Sequence, residues 1–157
     1  MALPQSLEPI SNAVHLSIDM QNLFAPGGIW ATPWMERVLP AIVAVAELNS
    51  QRTVFTRFVT PLHAEDRPGR WQRYFTRWEC STRSRLPGAQ LEIVPPLSRL
   101  IPPATVIDKP AYSAFRNPGL PHFSTIRAST LLSSLVRRPT CAYWPPCSTL
   151  LIWVLGP

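Results

Sequence analysis

The segment Ala13-Val14-His15-Leu16-Ser17-Ile18-Asp19 is a short apolar run that ends on a carboxylate, the pattern of a buried strand in a parallel sheet. A loop with Gly and Pro follows from Met20 to Thr32 and carries Phe24 and Trp30. From Pro33 onward, the pattern Trp34, Val38, Leu39, Ile42, Val43, Val45 and Ala46 with Glu36 and Glu47 outside it predicts an amphipathic helix. Pro40 is the misfit, marking either the true start of that helix or a kink. The β-branched and aromatic stretch from Thr53 to Val59 predicts a second strand, closed by Thr60-Pro61. Beyond a polar loop, Trp71, Tyr74, Phe75 and Trp78 again recur at helical spacing, as packing or as a pocket wall. Leu91 to Val94 reads as a short extra strand, and Ala104 to Lys109 as a core strand with Lys109 at its C-terminal end.

Strand, helix, strand and helix in alternation imply βαβ units with right-handed crossovers. The expected fold class is therefore α/β, with a mainly parallel sheet. Ligands of such sheets bind outside the carboxyl ends of the strands, where this reading places both Asp19 and Lys109.

Composition sharpens that choice. Lysine occurs once among 157 residues while the other basic side chains are all Arg, and that one is Lys109. An ammonium is a compact charge whose pKa responds to burial, whereas a guanidinium stays protonated, so a lone Lys at a strand end points to chemistry Arg cannot supply. The net charge of +6 does not signal a nucleic-acid surface, because all nine acids lie at or before Asp108 and the excess comes from an acid-free tail. No apolar run approaches the ~18 residues of a membrane helix. The N-terminus has no basic-then-apolar signal pattern, so a soluble cytoplasmic protein is expected. Cys80, Cys141 and Cys147 form neither a disulfide framework nor a zinc spacing. Length and 46% apolar content fit one domain with a real core.

Three segments, taken in order, resemble the isochorismatase-like cysteine hydrolase superfamily: Ile18-Asp19-Met20-Gln21-Asn22-Leu23-Phe24, Thr56-Arg57-Phe58-Val59-Thr60-Pro61, and Asp108-Lys109-Pro110-Ala111-Tyr112-Ser113-Ala114-Phe115. The similarity runs from about Ala13 to about Leu132. It implies a three-layer α/β/α Rossmann-like sandwich and a hydrolase, a group that includes nicotinamidases, carbamoylsarcosine amidohydrolase and isochorismatases. The amidohydrolases of the family use an Asp, a Lys and a Cys at a helix start after the fourth strand. By position, the resemblance makes Asp19 the base that takes the thiol proton and Lys109 the cation that holds the charges. Phe24, Trp30, Tyr112 and Phe115 are candidate substrate-binding residues. Nicotinamidases also hold a metal through an Asp and two His after the second strand. Here that loop offers only His63 beside Glu65 and Asp66, so neither a metal nor any other cofactor is expected.

The family pattern stops at Leu132. Where a Gly-containing turn and the Cys helix belong, Pro145-Pro146 interrupts any helix, and no Gly occurs between Gly119 and Gly156. A reading-frame change near Leu132 accounts for this. Read two bases later, codons permitted by the tail spell Val-Ser-Gly-Ala-Glu-Thr-Asp-Val-Cys-Val-Leu-Ala-Thr-Val-Leu, a strand, turn, Cys and helix of the family type. Several positions are forced: Tyr143-Trp144 yields Leu, Trp144-Pro145 yields Ala and Trp153-Val154 yields Gly. The expectation is a partial hydrolase domain over 1–132 and a frameshifted, truncated tail over 133–157. Cys141 then stands near the nucleophile's index without its helix terminus. A small amide or carbamoyl compound is the expected substrate, handled with impaired activity. The alternatives are a vinyl-ether hydrolase of the isochorismatase type using Asp19 as acid, and a non-catalytic remnant. The family often forms dimers or tetramers, a state a chain lacking its C-terminal third is not expected to reach. The tail would also leave strand 4 as an open apolar edge beside Leu150 to Leu155.

Overall fold

The structure, a computed structural model, describes residues 14–111, 113 and 114, together with the backbone of two strands at 131–134 and 152–156. In chain order the main elements are β1 (Val14–Ile18), α1 (Met35–Leu48), β2 (Thr53–Phe58), α2 (Arg70–Arg77), a single turn α3 (Pro95–Ser98), β3 (Thr105–Lys109), β4 (Leu131–Ser134) and β5 (Ile152–Gly156). The strands form one sheet in the order β3-β2-β1-β5-β4. The fold class is α/β, as the alternation of elements predicts.

β1, β2 and β3 are parallel, with Ile18 opposite Thr56 and Lys109 opposite Phe58. β5 runs antiparallel between β1 and β4, so the tail contributes a ladder where a purely parallel sheet would not. β4 is the edge, and its neighbour is the 152–156 segment.

Because paired residues of a parallel sheet project to the same side, the register defines two faces. One carries Leu16, Ile18, Val54 and Ala114 in a small buried cluster. The other carries Phe55 and is covered by α1 through Met35, Ile42 and Ala46 in the larger core. That core extends under the loops through Leu23, Phe75 and Leu97, which are all but fully buried.

Two expectations are corrected. Leu91 to Val94 is not a strand: Gly88–Leu91 is a 3-10 turn, and a single bridge from Gln21 to Ile93 is all the pairing that follows. Pro95 and Pro96 start a helical turn at once and lack the N–H groups a longer ladder needs. The predicted helix starts at Met35 with Trp34 as its cap, and Pro40 lies inside it. Pro40 removes the i+4 donor of the Glu36 carbonyl, and both residues lie on the exposed side of the helix, where the loss is cheapest.

Candidate active site

β1 ends at Ile18, and the next residue leaves the strand in a left-handed conformation: Asp19 has φ 58°, the one non-glycine positive φ among the described residues. Asp tolerates this region better than most side chains, yet the conformation still costs energy and needs support. The Asp19 N–H donates to the Thr56 carbonyl at 3.1 Å, and the Gln21 N–H donates to the Asp19 carbonyl at 2.8 Å. The turn has a geometric effect. Continued as a strand, residue 19 would project to the face opposite Ile18; the left-handed turn instead brings its carboxylate to Thr56 and Lys109, which the register puts on the Ile18 side.

The sequence brings two charges to one rim, and the structure joins them. Lys109 Nζ donates to Asp19 Oδ2 at 2.7 Å, with side chains 2% and 10% exposed. Thr56 Oγ1 donates to the other carboxylate oxygen at 3.0 Å. The ammonium also reaches the Ala111 carbonyl at 3.3 Å and lies 5.3 Å from the centre of the Phe58 ring, within cation–π range. Burial pushes the Asp19 carboxyl above its ordinary value, while the Lys109 charge and the hydrogen bonds from Lys109 and Thr56 pull it down. The balance leaves it above its ordinary value, so this carboxyl is a stronger proton acceptor than a solvated one, with one adjacent cation favouring its charged form.

Of the proposed pocket residues, Trp30 is half-buried and Phe24 buried, their rings 6.0 Å apart. Trp30 also lies 6.2 Å from Phe58, the ring behind Lys109, and 6.1 Å from Tyr74. An aromatic wall thus runs from the loop after β1 to the charged pair. Burial raises the Tyr74 phenol to about 12, so it stays protonated. The Trp30 indole N–H is buried without a hydrogen-bond partner. Tyr112, Phe115 and Cys141 lie outside the described residues. Cys80, in the turn after α2, is exposed.

The loop after β2 carries His63, Glu65 and Asp66. The His63 N–H donates to Asp66 Oδ2 at 2.8 Å, and the His63 side chain accepts from the Asp66 backbone, a reciprocal cap of the 3-10 turn Ala64–Asp66. Among the described residues, no group of three or more His, Cys, Asp or Glu side chains converges.

Three contributors escaped the sequence reading: Thr56, Phe58 as the ring behind the ammonium, and Gln21. The signal available for the first was a buried Thr beside Phe55 in a strand paired directly with the one that ends at Asp19.

The fold agrees with what comparison finds. The family model "Isochorismatase domain" matches residues 13–125, and the chain belongs to that family of hydrolases. A cysteine hydrolase from Pseudomonas syringae pv. phaseolicola superposes with a TM-score of 0.60 at 22% identity, over 81% of this chain and 61% of that one. The pyrazinamidase of Pyrococcus horikoshii, solved in complex with zinc, gives a TM-score of 0.48 at 21% identity, over 73% of this chain and 64% of that one. This chain therefore spans less than two thirds of either structure. No curated protein matches. No helix among the described residues is long and apolar enough to cross a membrane.

Proposed function

We propose that this chain carries the acid–base half of a cysteine hydrolase acting on a small amide or carbamoyl compound. The observation that carries the reading is the buried Asp19–Lys109 contact of 2.7 Å at the C-terminal rim of the sheet. In this reading Asp19 takes the thiol proton, and Lys109 holds the carboxylate and the thiolate together. The thiolate forms a bond to the carbonyl carbon, backbone N–H groups at the following helix start receive the oxyanion, and the amine leaves with the proton from Asp19. Water then cleaves the thioester and restores the thiol. Phe24, Trp30, Tyr112 and Phe115 would line the pocket, which suits a flat or aromatic ligand. An unpaired buried donor costs about 1–3 kcal/mol, so the Trp30 indole N–H is a ready partner for a substrate acceptor.

The nucleophile is the weak member. Cys141 stands near the right index in a tail that the frame reading makes foreign, and loss of the aimed N–H groups costs ~3–4 kcal/mol of transition-state stabilisation. The chain as translated is therefore impaired or a non-catalytic remnant, and the frame-restored chain is the active form.

A second reading is favoured by the upward displacement of the Asp19 carboxyl, which suits a proton donor as well as a base. It is a vinyl-ether hydrolase that needs no cysteine. Expression of both chains with a panel of small aromatic amides, carbamoyl compounds and vinyl ethers separates the readings. Ammonia release by the restored chain, abolished by Asp19→Asn and by Lys109→Met, supports the first. Asp19-dependent vinyl-ether cleavage that survives replacement of the cysteine supports the second. No turnover by either chain, with an unreactive thiol in both, overturns both.

A further inference from the structure

Gln21 is two residues beyond Asp19 and fully buried, and none of the chemistry above uses it. Its carboxamide makes three hydrogen bonds. Oε1 accepts from the Phe58 N–H at 2.7 Å, Nε2 donates to the Phe58 carbonyl at 3.1 Å, and Nε2 also donates to the Leu91 carbonyl at 2.6 Å. One side chain thus pairs both backbone groups of Phe58, as a neighbouring strand would, two residues past Thr56, the last β2 residue paired with β1. The requirement is specific to an amide. A carboxylate would set negative charge against two carbonyl oxygens, and an apolar side chain would leave the Phe58 N–H and both carbonyls buried without that partner.

The two ends of this strut are the two halves of the charged site. At one end the Gln21 N–H closes the turn that keeps Asp19 left-handed, through the Asp19 carbonyl at 2.8 Å. At the other, Phe58 is the register partner of Lys109 and its ring faces the ammonium at 5.3 Å. We propose that Gln21 is a positioning residue that fixes the Asp19 carboxylate against the Lys109 ammonium and keeps water out of their contact. This deepens the proposed reading of the pair as the working site and rests on it.

The test is made on the full chain without substrate. The carboxyl of Asp19 is followed by 13C NMR against pH, assigned with Asp19→Asn, in the parent, in Gln21→Ala, in the shape-conserving Gln21→Met, and in Ile42→Val as a core variant remote from the pair. Lys109 is the charged group facing Asp19 among the described residues, so the titration reports on that contact. Loosening the strut admits water and relieves the burial that raises this carboxyl, so both Gln21 variants are expected to shift its midpoint by about one pH unit or more towards the ordinary value, and Ile42→Val to leave it in place. Gln21 variants that titrate as the parent overturn the proposal, as does an equal shift in Ile42→Val. Should neither Gln21 variant fold, native-state hydrogen exchange of the parent decides. The Phe58 and Asp19 amides then open together if the strut joins them, and a Phe58 amide exchanging about tenfold faster than that of Asp19 overturns it. The hydrolase reading fails separately, through absent turnover in the restored chain while the Gln21-dependent titration persists.

Discussion

Replacing Lys109 by Met keeps an unbranched stem and removes the ammonium, leaving Asp19 facing the Thr56 hydroxyl alone. In the parent the pair is 2.7 Å apart with side chains 2% and 10% exposed, so bulk water solvates neither. The value for exposed pairs, under about 1 kcal/mol, does not apply. Removing one partner of a buried pair costs about 3–5 kcal/mol, because the other charge stays buried without compensation. Asp19 escapes part of that cost by binding a proton, since burial already raises its carboxyl and Lys109 is the largest influence opposing the rise. Its folded-state pKa then stands well above its unfolded one. Between the two, the folded chain holds a proton the unfolded chain has lost, so the variant loses stability as pH rises, by up to about 1.4 kcal/mol per pH unit. Urea unfolding followed by Trp fluorescence should therefore show a loss of about 3–5 kcal/mol at pH 8 and a clearly smaller one at pH 5. Asp19→Asn combined with Lys109→Met should recover most of it, since no buried charge remains. A loss under about 1 kcal/mol at both pH values would refute the buried-pair reasoning.

His15 is a buried residue of β1, its Nδ1 3.3 Å from Thr53 Oγ1, and burial lowers it from 6.5 to about 4. Its folded pKa is depressed, so its neutral form supports the fold above 6.5, and that support is lost as pH falls towards 4, by roughly 3 kcal/mol in all. His15→Leu, which leaves the Thr53 hydroxyl its bond to the Asn49 carbonyl, should flatten that part of an acid-unfolding curve; an unchanged curve contradicts the assignment. Arg57 pairs with both Asp108 and Glu92 at 2.7–3.0 Å, but these carboxylates are half or more exposed, so Arg57→Met should cost only about 1 kcal/mol and less at high salt. A salt-independent loss in urea unfolding would argue against that. A Cβ on Gly28 would collide with the backbone carbonyls of Asn22 and Leu23, so Gly28→Ala should displace the Trp30 loop. Trp30 emission should shift to the red in that variant, read with the other five Trp replaced by Phe, and unchanged emission counts against the packing described.

Much of the fold was legible because the elements that position the site are regular and strongly patterned. Val14–Ile18 and Thr53–Phe58 are nearly continuous buried runs, and Lys109 was identifiable as the lone ammonium at a strand end. What the pattern could not reveal came from tertiary context. Leu91 to Val94 has strand-like residues but no partner beyond Gln21, and Pro95 redirects the backbone. The left-handed turn at Asp19 depends on bonds to Thr56 and Gln21, one of them 37 positions away, which no local propensity encodes. Gln21 looked like a loop residue, because its partners Phe58 and Leu91 meet it only once the sheet has formed.

The most direct measurement is the pH dependence of cysteine alkylation by iodoacetamide in the frame-restored chain, read site by site by peptide mass spectrometry, with and without Asp19→Asn. If Asp19 and Lys109 activate a thiol, the family cysteine should alkylate rapidly well below the ordinary thiol value of about 8.5, and Asp19→Asn should slow it by at least about tenfold near neutral pH. Alkylation no faster than that of exposed Cys80, and indifferent to Asp19→Asn, would contradict the account.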